Sequence, residues 1–254
     1  MDCGLDGRVY VVSGGSSGLG LATARELVTE GAKVVLCGRD ENRLEEAVAS
    51  LAAGDRVLAM PGDLADPSTS GRLVASAHAR FGRLDGALVS VGGPPAARAF
   101  EASDEQWRSA FESVFLGALR LTTAVARSAG FEGASVVLVL STSARQPITG
   151  LGISNGLRPG LAMVAKELAD ELGPSGVRVN ALLPGRFDTD RVREIEEATG
   201  DPTAARQAFE EGVPLRRVGM PEEFAKVATF LLSPAASYVT GTAVAVDGGL
   251  TRSP

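Results

Sequence analysis

The chain has 254 residues, 44% hydrophobic and 22% charged, a length and balance that suit one large globular domain spanning residues 1–254. Its 25 basic and 31 acidic residues leave a net charge of −6, which disfavours nucleic acid or an anionic membrane as a partner. With only Cys3 and Cys37, no apolar run near the roughly 20 residues of a membrane span, and no signal peptide in the acidic opening "MDCGLDGRVYVV", a cytoplasmic protein without disulfides or a metal site is expected.

In chain order, "RVYVVSG" (8–14) is a β-branched run that ends in glycine and gives way to a helical period at about 18–30, closed by Gly31. "AKVVLCG" (32–38) and a helix at 41–52 follow, then "DRVLAMPGD" (55–63) and a helix at 67–81. "LDGALVSVGG" (84–93) leads into a long helical stretch, 103–129, whose start is marked by the capping-box pair Ser103 and Gln106. "ASVVLVLS" (134–141), a helix at 154–172, "VRVNALLPG" (177–185), a helix at 221–232 opening on Pro221, and "TAVAVDGG" (242–249) complete the series. Several strand runs are almost wholly apolar, as parallel strands covered on both faces must be. The alternation predicts an α/β fold, a doubly wound Rossmann-type domain with a seven-stranded parallel sheet and helices on both faces. One charged segment, 186–216, breaks the rhythm. It follows the carboxyl end of a strand, where α/β proteins bind ligands, and reads as a partly helical lid.

The first strand runs into "SGGSSGLG", with Gly14, Gly18 and Gly20 spaced G-x-x-x-G-x-G before a helix. Glycine allows the tight turn and a close approach of backbone to a pyrophosphate, and the helix N-terminus offers free N–H groups and partial positive charge. Three glycines alone often make only a turn, but the strand–loop–helix–strand context favours a dinucleotide site built from Gly14, Ser16, Ser17, Gly18, Leu19 and Gly20. The second strand ends in "LCGRD". A site for NAD places a carboxylate there to grip the adenosine 2′-hydroxyl, whereas Arg39 suits a 2′-phosphate, so NADP is the expected cofactor. The alternative is an arginine that merely faces solvent.

From about residue 5 to residue 250 the chain resembles the short-chain dehydrogenase/reductase family. The glycine loop has that family's spacing, and "GDL", with Asp63 and Leu64, resembles its adenine-contacting segment after the third strand. "SVGG", with Gly92, takes the place of its Asn-Asn-Ala-Gly. "VNALLPG" followed by Thr189 resembles the segment whose Pro-Gly and Thr, here Pro184, Gly185 and Thr189, flank the nicotinamide carboxamide. "PLRRVGMPEEFA" and "GTAVAVDGG" resemble the family's closing segments. The resemblance implies a sheet ordered 3-2-1-4-5-6-7, a small-molecule substrate, and self-association as a homotetramer or a dimer.

Carried over position by position, the family's catalytic set does not hold. "VLVLSTS" offers Ser141, Thr142 or Ser143 for its serine, and counting back 13 from the tyrosine position selects Ser141. The tyrosine position is Ser154, the lysine position Arg158, and the asparagine position Val114. An aliphatic hydroxyl is a far weaker acid than a phenol of pKa about 10, and arginine keeps its proton at any working pH. General acid catalysis is worth about 10²–10⁴ in rate, so ordinary ketone reduction is expected to be slow. Tyr10 lies inside the first strand, Tyr238 beyond the last helix, His78 on a distant helix and Lys166 two turns past Arg158; none is placed to substitute. Asp188, in the lid segment, is the nearest carboxylate to the nicotinamide end and is expected to be solvated rather than catalytic.

Ser141, Ser154 and Arg158 therefore stand as the candidate catalytic residues. Arg158 can bind the cofactor ribose, clamp a substrate carboxylate or enolate oxygen, or simply pair with a neighbouring carboxylate. Three readings remain open: an NADP-dependent oxidoreductase with a non-standard proton path, a cofactor-binding enzyme of non-redox chemistry (dehydratase, isomerase or cyclase), and a nucleotide-binding protein without turnover.

Overall fold

The computed structural model describes residues 2–130 and 132–252; Met1, Phe131, Ser253 and Pro254 of the expected 1–254 span lie outside the described residues. Seven strands form one parallel sheet: β1 (Val9–Ser13), β2 (Lys33–Gly38), β3 (Val57–Pro61), β4 (Gly86–Val89), β5 (Ala134–Val139), β6 (Val177–Pro184) and β7 (Ala243–Val246). Their order is β3-β2-β1-β4-β5-β6-β7, all pairs parallel, which bears out the expected Rossmann-type architecture.

Alternation along the strands divides the core. In β1, Val9 and Val11 point to one face, Tyr10 and Val12 to the other, and β5 sorts Val136 and Leu138 from Val137 in the same way. The first face is covered by α3 (Thr69–Phe81), α5 (Gly117–Ser128) and α6 (Gly152–Leu172) through Leu73, Leu121 and Leu161. The second is covered by α1 (Gly18–Thr29), α2 (Glu41–Leu51) and α9 (Pro221–Leu232) through Leu27, Leu44 and Phe224. Fully burying one such side chain is worth about 1.5–3 kcal/mol. This two-sided burial is why the strand runs read as almost continuously apolar.

One helix departs from the sequence expectation, and the irregular segment gains definition. The stretch expected as one helix over 103–129 begins as α4 (Asp104–Ala110), capped by the reciprocal bonds Gln106 N to Ser103 Oγ (3.2 Å) and Ser103 N to Gln106 Oε1 (2.9 Å). It then widens into a π-helix over Phe111–Leu116 before continuing as α5. Close packing begins where α5 starts: a Cβ at Gly117 would lie 2.8 Å from the Leu64 carbonyl oxygen. The segment 186–216 carries two helices, α7 (Asp190–Glu197) and α8 (Pro202–Gly212), the second opened by the Asp201 side chain accepting from Ala204 N at 3.0 Å. Among the described residues no helix is long and apolar enough to cross a membrane.

Candidate active site

The carboxyl ends of β1, β2, β4, β5 and β6 meet along one edge of the sheet and gather most of the candidate residues. After β1 the chain turns at Gly14 (φ 59°), where a Cβ would meet the Ser90 carbonyl oxygen at 2.8 Å. At Gly20 a Cβ would lie 2.2 Å from the Gly14 carbonyl oxygen, so the loop closes on α1 with room for glycine only. Ser17 caps α1 in extended conformation without a side-chain hydrogen bond, and no acidic residue sits in the first turn. The orphan N–H groups of that helix end are thus left to a ligand. Leu19 anchors the same turn by packing on the α1/α2/α9 side of the core.

Ser16 lies against the end of β2, its Oγ 3.0 Å from where a Gly38 Cβ would stand. The next residue, Arg39, is exposed and forms no ion pair with any described residue. Its Nη2 reaches to 4.0 Å from the Cβ position of Gly92, beyond β4. Ser16 thus lies against the residue before Arg39, and the Arg39 side chain spans from the end of β2 toward Gly92. Asp63 is exposed after β3, with Oδ1 accepting from Ala65 N at 2.9 Å. Leu64 is different: its side chain is buried in the α3/α5/α6 core, so only its backbone can face a ligand. On the far side, Gly185 N donates to Val246 O at 2.9 Å, holding the Pro184–Gly185 turn against β7. Thr189, which caps α7, reaches back until its Cγ2 is 3.3 Å from the Cβ position of Gly18. The glycine loop and the turn after β6 thus face each other.

At the end of β5 the geometry adds a residue. Ser141 Oγ accepts from Ser143 N at 3.1 Å and caps a single 3₁₀ turn over Thr142–Ala144. That turn carries Ser143 inward, where its hydroxyl meets that of Ser154, near the start of α6, at 2.9 Å. Spacing selects Ser141, but the hydroxyl that contacts Ser154 belongs to Ser143. Ser154 is only 7% exposed and Arg158, one turn further along α6, only 4%. Arg158 Nη1 donates to the Val139 carbonyl at 2.6 Å, while Nε is enclosed without a partner. No carboxylate of the described residues pairs with it, so pairing with a neighbouring acid drops out. Burial alone pulls its pKa down to about 10, and the group remains a cation at neutral pH.

The remaining polar groups are occupied or distant. Asp188, expected to be solvated, is held by Arg193 (3.2 Å) and Arg206 (3.4 Å). Tyr10 is buried with its hydroxyl on Leu232 O, and burial raises its pKa above the ordinary tyrosine value. Tyr238 and His78 are exposed, and Lys166 is paired with Asp170. Val114 lies in the π-helical segment, buried against Ile153, Leu157 and Trp107.

A doubly wound sheet with a glycine loop after β1 and a hydroxyl pair joining the end of β5 to α6 defines a Rossmann-type protein of the short-chain oxidoreductase class. Residues 14–251 match the family model described as enoyl-(acyl carrier protein) reductase, and the chain belongs to the short-chain dehydrogenase/reductase family of oxidoreductases. Dehydrogenase/reductase SDR family member 4 of Oryctolagus cuniculus is 34% identical over 249 residues, covering 96% of this chain and 94% of its own. L-sorbose reductase from Gluconobacter frateurii, solved with NADPH and L-sorbose, matches all of both chains at 34% identity with a TM-score of 0.95. The apo structure of a short-chain oxidoreductase from Pseudomonas aeruginosa PAO1, described as containing an atypical catalytic center, matches with a TM-score of 0.90 at 31% identity, over 97% of this chain and 98% of that one.

Proposed function

We propose that the chain is an NADP-dependent carbonyl/alcohol oxidoreductase whose proton path does not run through a tyrosine. The observation that carries the reading is the cradle: an exposed Arg39 without an ion-pair partner beside Ser16 and Gly92, next to an uncapped α1 N-terminus. Arg39 would hold the 2′-phosphate, the first turn of α1 the pyrophosphate, and Asp63 the adenine. Pro184, Gly185 and Thr189 would flank the carboxamide. The G. frateurii relative was solved with NADPH, which agrees with this assignment. Once bound, NADPH supplies the reducing equivalent.

Within the chain, Ser143 and Ser154 hold two hydroxyl protons and use one between themselves, leaving one to orient a substrate oxygen. Arg158 sets a fixed positive charge beside that oxygen and gives up no proton. With Asp188 engaged by two arginines, solvent delivers the proton. The three departures from the family set, Val114, Ser154 and Arg158, set the rate rather than forbid the reaction. A second reading, nucleotide binding with non-redox chemistry or no turnover, draws on Val114: in its apolar cluster its side chain can anchor no relay water.

We also assign residues 186–216 as a lid. Its helices are tied to the end of β6 by Arg186, which faces Glu196 of α7 at 3.6 Å and lies 4.3 Å over the Phe209 ring of α8. Self-association as a dimer or tetramer is supported by exposed Met163 on α6, Phe111 before α5 and Tyr238 before β7. A cytoplasmic setting fits a chain of 254 residues with only two cysteines, Cys3 and Cys37.

The test is titration of NADPH and NADH by cofactor fluorescence against wild type and Arg39→Ala. Wild type should prefer NADPH by at least about 10-fold, the lower end for hydrogen bonds to a charged group, and the variant should lose that preference. Equal affinity for both cofactors in wild type would remove the basis of the proposal.

A further inference from the structure

Arg178 and Arg158 are both withdrawn from solvent with no carboxylate partner among the described residues, and they are satisfied differently. Arg178 is saturated by backbone: Nη1 donates to Leu231 O (2.9 Å) and Val239 O (3.1 Å), and Nη2 to Ser233 O (2.9 Å), where α9 ends. That is what a structural guanidinium looks like. Arg158, more deeply buried, has one carbonyl, that of Val139, and an enclosed Nε bonded to nothing. A cation kept in such a place is costly unless something pairs with it. It stands one turn beyond Ser154 on α6 and bonds the last residue of β5, so cation and hydroxyl pair occupy the same strand end. That end also carries one uncommitted hydroxyl proton. Cation, unpaired Nε–H and spare hydroxyl proton are all donors, and the set holds no negative charge of its own. The set is matched by an oxyanion.

We propose that Arg158, with Ser143 and Ser154, is a receptor for a substrate carboxylate, so that the substrates are small carbonyl compounds bearing a carboxylate, oxo acids or the corresponding hydroxy acids. The inference rests on the reading that the β5–α6 end is the substrate side of the cleft. It adds a substrate class that the hydroxyls alone would not select. Arg158 acts here as a specificity-determining residue: an entering carboxylate pairs with the cation that the Val139 carbonyl satisfies only in part. The carbonyl to be reduced then lies at a distance from the carboxylate fixed by that anchor. Three arginines of the lid and its border are already engaged: Arg193 and Arg206 bond Asp188, and Arg217 bonds Glu223 through both nitrogens (2.6 Å each).

The test is equilibrium binding, independent of turnover. 2-Oxobutyrate, acetoacetate and levulinate, which place the carboxylate at increasing distance from the carbonyl, are titrated by calorimetry alongside their methyl esters. Wild type, Arg158→Lys, Arg158→Gln and Ser154→Ala are compared, with NADPH affinity measured in parallel and thermal melts confirming that each variant is folded. At least one acid should bind wild type about 10-fold or more tightly than its ester. That preference should shrink in Arg158→Lys, which keeps the charge but loses the fork, and vanish in Arg158→Gln, with NADPH affinity unchanged. Acids and esters binding wild type equally would overturn the proposal without recourse to any variant. So would a preference that survives in folded Arg158→Gln. If instead Arg158→Gln weakens NADPH and leaves the acid preference intact, the guanidinium serves the cofactor and the proposal fails. Wild type that binds the acids but no NADPH would sink the NADP reading and leave the receptor standing, so the two failures are distinguishable.

Discussion

Restoring the family's proton donor is the sharpest perturbation of the site. Ser154→Tyr with Arg158→Lys places a phenol and an ammonium where Ser154 and Arg158 now stand, and Val114→Asn adds the relay amide. General acid catalysis of about 10²–10⁴ corresponds to roughly 3–5 kcal/mol of barrier, so the triple variant should reduce simple ketones with NADPH at least an order of magnitude faster than wild type. The structure also sets the cost. Arg158→Lys gives up the 2.6 Å bond to Val139 O, worth about 1.5–3 kcal/mol for a charged donor. Val114→Asn brings an amide into the cluster of Ile153, Leu157 and Trp107, costing about 1–3 kcal/mol where it finds no partner. Together these approach the lower end of a domain's total stability, about 5–15 kcal/mol, so the assay must pair NADPH oxidation with a thermal melt at the same temperature. Arg158→Lys alone should gain nothing, because no phenol is present whose pKa it could lower. Two results would refute the reasoning: rapid wild-type ketone reduction that survives both Ser154→Ala and Arg158→Gln, or a folded triple variant that binds NADPH with wild-type affinity yet stays inert.

Gly20→Ala forces a Cβ to within 2.2 Å of the Gly14 carbonyl, and should abolish NADPH binding while lowering the melting temperature; full retention of affinity would show that the loop is not the cradle. Glu223 is held down to about 2 by Arg217, so its contribution to stability is complete above the ordinary carboxylate range near 4.5 and is lost as pH falls toward 2. Replacing Arg217 with Met should therefore move part of the acid-unfolding transition upward into that window, and an unchanged acid limb would contradict the pairing. Light scattering at micromolar concentration should return a dimer or tetramer, and a monomer would remove the self-association assignment.

What could be read in the sequence was what local chemistry dictates. The β-branched runs gave the sheet because burial on both faces leaves few polar residues in a central parallel strand, as in β1 and β5. The glycine loop was legible because Gly14 and Gly20 answer a steric demand that other residues cannot meet. Ser143 was harder. Spacing treats the end of β5 as extended, but Ser141 caps a 3₁₀ turn that swings the next hydroxyls, and the signal was the run of three hydroxylic residues at 141–143. The π-helix at Phe111–Leu116 left no mark on the apolar period, since both flanking segments keep their own faces. Segment 186–216 reads only as partly helical, although helix α8 opens on a signal the sequence carries, Asp201 as a cap before Pro202 in the first turn. The isolation of Arg158 was invisible, because the absence of a carboxylate around a side chain is a property of the folded chain alone.

The most direct test of the account is a crystal structure of the protein with NADPH bound. It should show the Arg39 guanidinium on the 2′-phosphate and the pyrophosphate on the first turn of α1. Over the nicotinamide, the hydroxyls of Ser143 and Ser154 and the cation of Arg158 should stand within hydrogen-bond reach of the substrate space, and no tyrosine, histidine or carboxylate. A 2′-phosphate held elsewhere, or an acidic side chain of the 186–216 segment seated above the nicotinamide, would contradict the central claim.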